Sequence, residues 1–104
     1  MNEDNEGLIK KSQDGAVFYL TLNRPDSGNS LSRAMISELH SSLKDLANNS
    51  DINVIVIGGA GGRIFCAGHN LKEFDSNKDA EFYSNVSSEC SAMMQAISRQ
   101  PQIV

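Results

Sequence analysis

Two segments of this chain carry residue types at spacings that bear on chemistry. The first is Phe65-Cys66-Ala67-Gly68-His69-Asn70-Leu71-Lys72-Glu73. Small residues at 67 and 68 let a ligand come close to the main chain. Asn70 and Glu73 have the N-cap-to-N3 spacing of a capping box, which predicts a helix turn beginning at Asn70. The N–H groups around His69 and Asn70 then stand at a helix N-terminus, where the dipole favours developing negative charge. An oxyanion hole needs donors in that setting. The same residues also read as an ordinary turn entering a capped helix, and residue types alone do not separate the two.

The second segment is Gly58-Gly59-Ala60-Gly61-Gly62-Arg63. A glycine-rich loop after a strand can cradle phosphate on backbone N–H groups. A P-loop, however, ends in Gly-Lys-Ser/Thr, and a dinucleotide fingerprint needs a third glycine opening a long helix. Neither is present, so a flexible exit from a strand is the favoured reading. Cys66 and Cys90 lie far apart, with no Cys-x-x-Cys spacing and no nearby histidine pair, and read as reduced thiols. His40 falls on the flank of a helix and reads as a surface or packing residue.

These segments hang on an alternation of strands and helices. A first strand starts at Leu8-Ile9 and runs into the hairpin turn signal Asp14-Gly15. Residues 16–23 (AVFYLTLN) are apolar on both faces, which predicts a strand covered on both sides. A loop punctuated by Pro25 and Gly28 follows. Ser32 suits the N-cap of a helix over 33–49, with Met35, Leu39, Leu43 and Leu46 on one stripe. Residues 52–57 (INVIVI) form a β-branched run, the mark of a buried parallel strand. A second long helix is expected over 79–99, with Phe82, Val86, Cys90, Met93, Met94 and Ile97 near helical spacing. Pro101 stops it, and 102–104 begins another strand. The order points to an α/β fold with right-handed crossovers, without internal repeats.

Composition bounds the function. The chain has 104 residues, 39% hydrophobic and 21% charged, with net charge −4, which fits one small globular domain. Its basic residues are scattered, unlike the stripe of a nucleic-acid binder. No continuous apolar run, Val54 to Ile57 included, comes near the length needed to span a bilayer. Residues 1–7 (MNEDNEG) are acidic and read as a disordered leader with neither a secretory nor a transit character. A cytoplasmic protein that binds neither nucleic acid nor membrane is the expectation.

Three stretches carry a family resemblance: Asn23-Arg24-Pro25, then Asn29-Ser30-Leu31-Ser32, then residues 52–73 (INVIVIGGAGGRIFCAGHNLKE). Their order and spacing resemble the crotonase superfamily of enoyl-CoA hydratases and isomerases, and the likeness covers essentially all of residues 8–104. Within it, His69 after Ala-Gly and the run CSAMMQAISRQP are most similar to the enoyl-CoA hydratase domain-containing protein 3 group.

The resemblance implies the N-terminal portion of the ββα-repeat crotonase spiral, truncated, with residues 8–104 as a partial domain lacking its C-terminal part. It implies acyl-CoA or enoyl-CoA substrates, coenzyme A being carried by the substrate, with no permanently bound cofactor and no metal. The first oxyanion-hole donor is the backbone N–H of His69. Ala67, Gly68, His69, Asn70 and Leu71 line the path of the coenzyme, Lys72 stands near its phosphates, and Ser30 and Leu31 touch it from the other side. The second donor and the acid/base glutamates of the family lie beyond Val104. Trimers or hexamers are implied for an intact member.

Two departures stand out: Asn70 replaces the usual aspartate, keeping a cap but losing a charge, and Gly28 stands where some relatives have a basic residue. The alternatives are a catalytically inactive acyl-CoA-binding module and a fragment without function.

Overall fold

The structure is a computed structural model that describes residues 7–76 and 79–104. Of the expected leader only Gly7 is described, and its carbonyl accepts from Asn23 Nδ2 at 3.1 Å and Arg24 Nη1 at 3.0 Å. The elements are β1 (Ile9–Asp14), β2 (Val17–Leu22), a short 3-10 turn (Pro25–Ser27), α1 (Arg33–Ala47), β3 (Val54–Gly59), α2 (Leu71–Ser76) and α3 (Ala80–Arg99). β1 and β2 pair antiparallel through a turn at Gly15-Ala16, and β2 and β3 pair parallel, with α1 as the crossover. The α/β expectation and its element order therefore hold.

Register explains which side chains are buried. Ile9 faces Leu22, while Phe18 and Leu20 lie beside Ile55 and Ile57, so these six share one face of the sheet. Ile9, Leu20, Leu22 and Ile55 on that face are buried against Met35, Ile36, Leu39, Leu43 and Leu46 of α1 and Val86 and Met93 of α3. A Leu, Ile or Met side chain fully buried in this way contributes about 1.5–3 kcal/mol. The opposite face carries Val17, Tyr19 and Val54, half-buried, and Val56, exposed. Cover on both sides was expected of β2 and β3. Among the described residues only one side is covered, because α1 and α3 pack on the same face.

The helix signals act as their chemistry requires. Ser32 Oγ accepts from Met35 N–H at 3.1 Å, and Asp79 Oδ1 accepts from Phe82 N–H at 2.6 Å, each satisfying a first-turn donor. Met94, expected on the buried stripe of α3, points to solvent. Carbonyls near the end of α1 are met from outside the helix. Gln100 Nε2 donates to Leu43 O at 2.7 Å, and the buried Gln102 donates through Nε2 to Leu46 O at 2.6 Å.

Two strand ends differ from expectation. β3 starts at Val54 rather than Ile52, since Ile52 N–H still closes a turn onto Asn49 O at 3.2 Å. It continues through Gly58 and Gly59, which pair with Thr21 and Leu22. The strand expected over 102–104 appears as a single parallel bridge between Ile103 and Val54.

Candidate functional site

The loops at the C-terminal ends of β2 and β3 are joined by Asn29. Its side chain accepts from Arg24 N–H through Oδ1 at 2.8 Å and donates from Nδ2 to Ala60 O at 3.0 Å and Ile64 O at 2.9 Å. Asn29 is fully buried at a φ of +52°, a conformation that asparagine tolerates better than most residues. The loop 58–63 thereby packs on the segment around Pro25, with a cavity of only about 60 Å³ between them. That is the strand exit expected of it.

The next contacts place 67–70. Ala67 N–H donates to Gly28 O at 2.9 Å, Leu31 N–H donates to Gly68 O at 2.6 Å, and Asn70 N–H donates to Leu31 O at 3.1 Å. Leu31 and His69 thus form a parallel bridge. Gly68 has a φ of +92°, which a side chain would disfavour. In a parallel bridge the residue flanked by both bonds turns its own N–H and C=O away from the partner segment. The His69 N–H accordingly faces away from Leu31, and among the described residues it has no acceptor.

The His69 imidazole meets the edge of Phe74, ring centroids 5.6 Å apart, and Phe74 meets Tyr83 at 5.3 Å. Tyr83 Oη donates to Phe74 O at 3.4 Å. His69, Phe74, Tyr83, Val86 and Ser87 line a cavity of about 300 Å³. Apolar walls with one or two polar groups are typical of a small-molecule site.

The expected helix turn is present, and Asn70 caps it: its Oδ1 accepts from Lys72 N–H at 3.0 Å and Glu73 N–H at 3.3 Å. The reciprocal half of the capping box is replaced. Glu73 Oε1 accepts from Arg33 N–H at 2.9 Å, across to the first residue of α1. Arg33 also donates to Glu89 through Nε at 2.7 Å and Nη2 at 2.6 Å. The hydrogen bond from Arg33 holds the Glu89 carboxyl below its ordinary value, and the same bond raises the guanidinium. Neither the Asn29 joint nor the Arg33 contacts were read from the sequence. Asn29 lay in a motif without an assigned role, and only its αL conformation, invisible in the sequence, marks it.

The eight expected site residues cluster, but not alike. Ala67, His69, Leu71 and Lys72 are exposed, Leu71 at 75%, while Gly68 and Asn70 are half-buried. Ser30 and Leu31 are buried, and Ser30 Oγ donates to Ser27 Oγ at 3.3 Å. His40 lies apart from them, on a groove of about 870 Å³ between α1 and α3 that does not include His69. Burial first, and the neighbouring Cys66 second, push the Cys90 thiol up, away from the reactive thiolate. Among the described residues no three His, Cys, Asp or Glu side chains gather as a metal site would need, and no helix is long and apolar enough to cross a membrane.

The arrangement matches a known family. The model of the enoyl-CoA hydratase/isomerase family matches residues 12–104. The chain belongs to that family. Its fold is that of the crotonase superfamily: an enoyl-CoA hydratase structure from Mycobacterium smegmatis superposes with a TM-score of 0.88 at 36% identity, over 92% of this chain and 37% of that one. The mitochondrial enoyl-CoA hydratase domain-containing protein 3 of Danio rerio is 32% identical over 101 residues, 97% of this chain. The human protein of that group gives a TM-score of 0.84 at 29% identity, over 92% of this chain and 38% of that one. The expected likeness to this group is therefore found. The chain spans about a third of the length of these relatives, 35% for the zebrafish protein.

Proposed function

We propose that this segment of an enoyl-CoA hydratase/isomerase family member supplies one of the two oxyanion donors for an acyl-CoA thioester, the backbone N–H of His69. The observation that carries the reading is this N–H, without an acceptor, on a segment clamped by Leu31 beside a cavity of apolar character. Hydration or isomerisation of an enoyl thioester passes through an enolate-like state. Negative charge grows on the thioester oxygen as it forms, so a fixed donor helps the transition state more than the ground state. The exposed Ala67, Leu71 and Lys72, with the Gly68 and Asn70 backbone, would follow the coenzyme, Lys72 next to its phosphates. Ser30 and Leu31 would border it from behind. The substrate carries the coenzyme, and nothing in the proposal calls for a metal.

A second donor and the carboxylates that move the proton would come from the length of the relatives that this chain does not span. Trimeric or hexameric assembly and a cytoplasmic location belong to the same proposal. Among the described residues the cavity beside His69 has no carboxylate in its lining, which favours one competing reading, a module that binds acyl-CoA without reacting. Turnover of crotonyl-coenzyme A by the full-length protein, followed by the loss of enoyl absorbance, tests the two. Hydration or isomerisation supports the enzyme; tight binding without turnover supports the module; neither binding nor turnover overturns both.

A further inference from the structure

The N-terminal ends of α1 and α2 meet, and the Glu73 carboxylate stands between them. Arg33 is the first residue of α1, so its N–H has no acceptor within the helix. Glu73, in the first turn of α2, supplies one at 2.9 Å. A carboxylate there is favoured by the dipole of α1 as well as of its own helix, and hydrogen bonds to an ionised acceptor are among the stronger ones. Two residues earlier, Leu31 holds Gly68 O and Asn70 N–H. The bridge residue Leu31 and the first residue of α1, Arg33, therefore grip the 68–73 segment at three points, and the His69 N–H lies between them.

We propose that Glu73 is a positioning residue for the oxyanion donor. By accepting the Arg33 N–H, it locks the turn from Gly68 to Leu71 against the start of α1 and fixes where the His69 N–H points. The proposal rests on the reading of His69 given above. Arg33 extends the same joint to α3, because its guanidinium binds Glu89 through two nitrogens and lies 5.7 Å from the centroid of the Phe82 ring. α3 brings Tyr83, Val86 and Ser87 to the cavity. One residue of α1 thus ties together the donor segment and one wall of the cavity that His69 lines.

Arg33 offers a clean probe of the backbone bond. Proline is well tolerated at the first position of a helix, and Ser32 already has the extended backbone, φ −72° and ψ 164°, that precedes a proline. Arg33→Pro removes the N–H together with the guanidinium, whereas Arg33→Ala removes the guanidinium alone. Crotonyl-coenzyme A turnover is measured in the full-length protein for the wild type, both Arg33 variants, Glu73→Ala, Glu73→Gln and the combination of Arg33→Pro with Glu73→Ala. Hydrogen exchange over 66–74 is followed in parallel.

Displacing a donor by an ångström costs up to about 10² in rate, so Glu73→Ala is expected to lower kcat by up to that factor. KM should stay near the wild-type value, because the lost interaction belongs to the transition state. Glu73→Gln keeps an acceptor oxygen and should restore most of the loss. Arg33→Pro should match Glu73→Ala while Arg33→Ala does not, and the combination should be no worse than either single change, as two ends of one bond require. Full kcat in Glu73→Ala, or equal losses in Arg33→Pro and Arg33→Ala, overturns the positioning role, even where exchange shows that the turn has loosened. A wild type without turnover overturns the reading of His69, and this proposal with it.

Discussion

Asn29 Nδ2 occupies space that Gly59 leaves open: a Cβ on Gly59 would stand 2.9 Å from that nitrogen and would also collide with the Phe65 backbone. The strand β3 can therefore run to its last pair with Leu22 and still let the 60–65 loop fold back over Asn29.

The Asn29 joint predicts a large loss of stability on truncation. Asn29→Ala strands three part-buried backbone groups and puts a Cβ with no compensating side chain at positive φ, a total of about 3–5 kcal/mol. Asn29→Gly loses the same bonds without the backbone strain and should cost about 1 kcal/mol less. Gly59→Ala should be comparably harmful, because the atoms its Cβ meets include fixed backbone. Urea denaturation of the three variants measures this. A loss below about 1 kcal/mol in Asn29→Ala would show that the side chain joins nothing of consequence.

The role proposed for His69 predicts that its backbone matters more than its ring. His69→Ala keeps the N–H and should lower turnover in the full-length protein several-fold at most, through the lost packing on Phe74. His69→Pro removes the donor and should cost about 10² or more in kcat. Circular dichroism checks that both variants fold. Equal losses in the two would make the imidazole, not the N–H, the active group.

A polypeptide of residues 1–104 alone is expected to hydrate no crotonyl-coenzyme A. On the reading proposed for His69 it offers one donor, and among the described residues the cavity beside it has no carboxylate in its lining. A missing second donor costs about 10²–10³ in rate, and a missing acid/base about 10²–10⁴ more. A loss of enoyl absorbance above the buffer blank, abolished by heating the protein, would contradict this.

The Arg33–Glu89 pair predicts a pH-dependent stability on the acid side. The fold lowers the Glu89 pKa from its ordinary value of 4.5. Its contribution is therefore fully present above that value and is lost as pH falls through the lower folded value. Both side chains are about 40% exposed, so solvent and salt screen the pair and the effect is small. Denaturation of the wild type and Glu89→Gln should differ at neutral pH and low salt and converge in acid. A gap that widens as pH falls would reverse the assignment.

The sequence by itself determined what short spacing controls. Ser32 and Asn70 cap their helices as their positions demand, the stripe Met35, Leu39, Leu43 and Leu46 is buried, and Asp14-Gly15 starts the hairpin turn. In each case the partners lie within a few residues, so local geometry leaves little choice. The motif order from 23 to 73 also pointed to the family, because the residues nearest a shared site have fixed spacings along the chain.

Only the tertiary structure decided the rest. Glu73 was expected to close its own capping box, yet it takes the N–H of a residue 40 positions away. An orphan donor at the start of one helix competes with the local one, and only the approach of the two helix ends settles which of them the carboxylate accepts. The apolar faces of β2 and β3 likewise looked alike in sequence. Which face is covered was set by α1 and α3 packing on the same side of the sheet, a long-range outcome that a two-residue alternation does not encode.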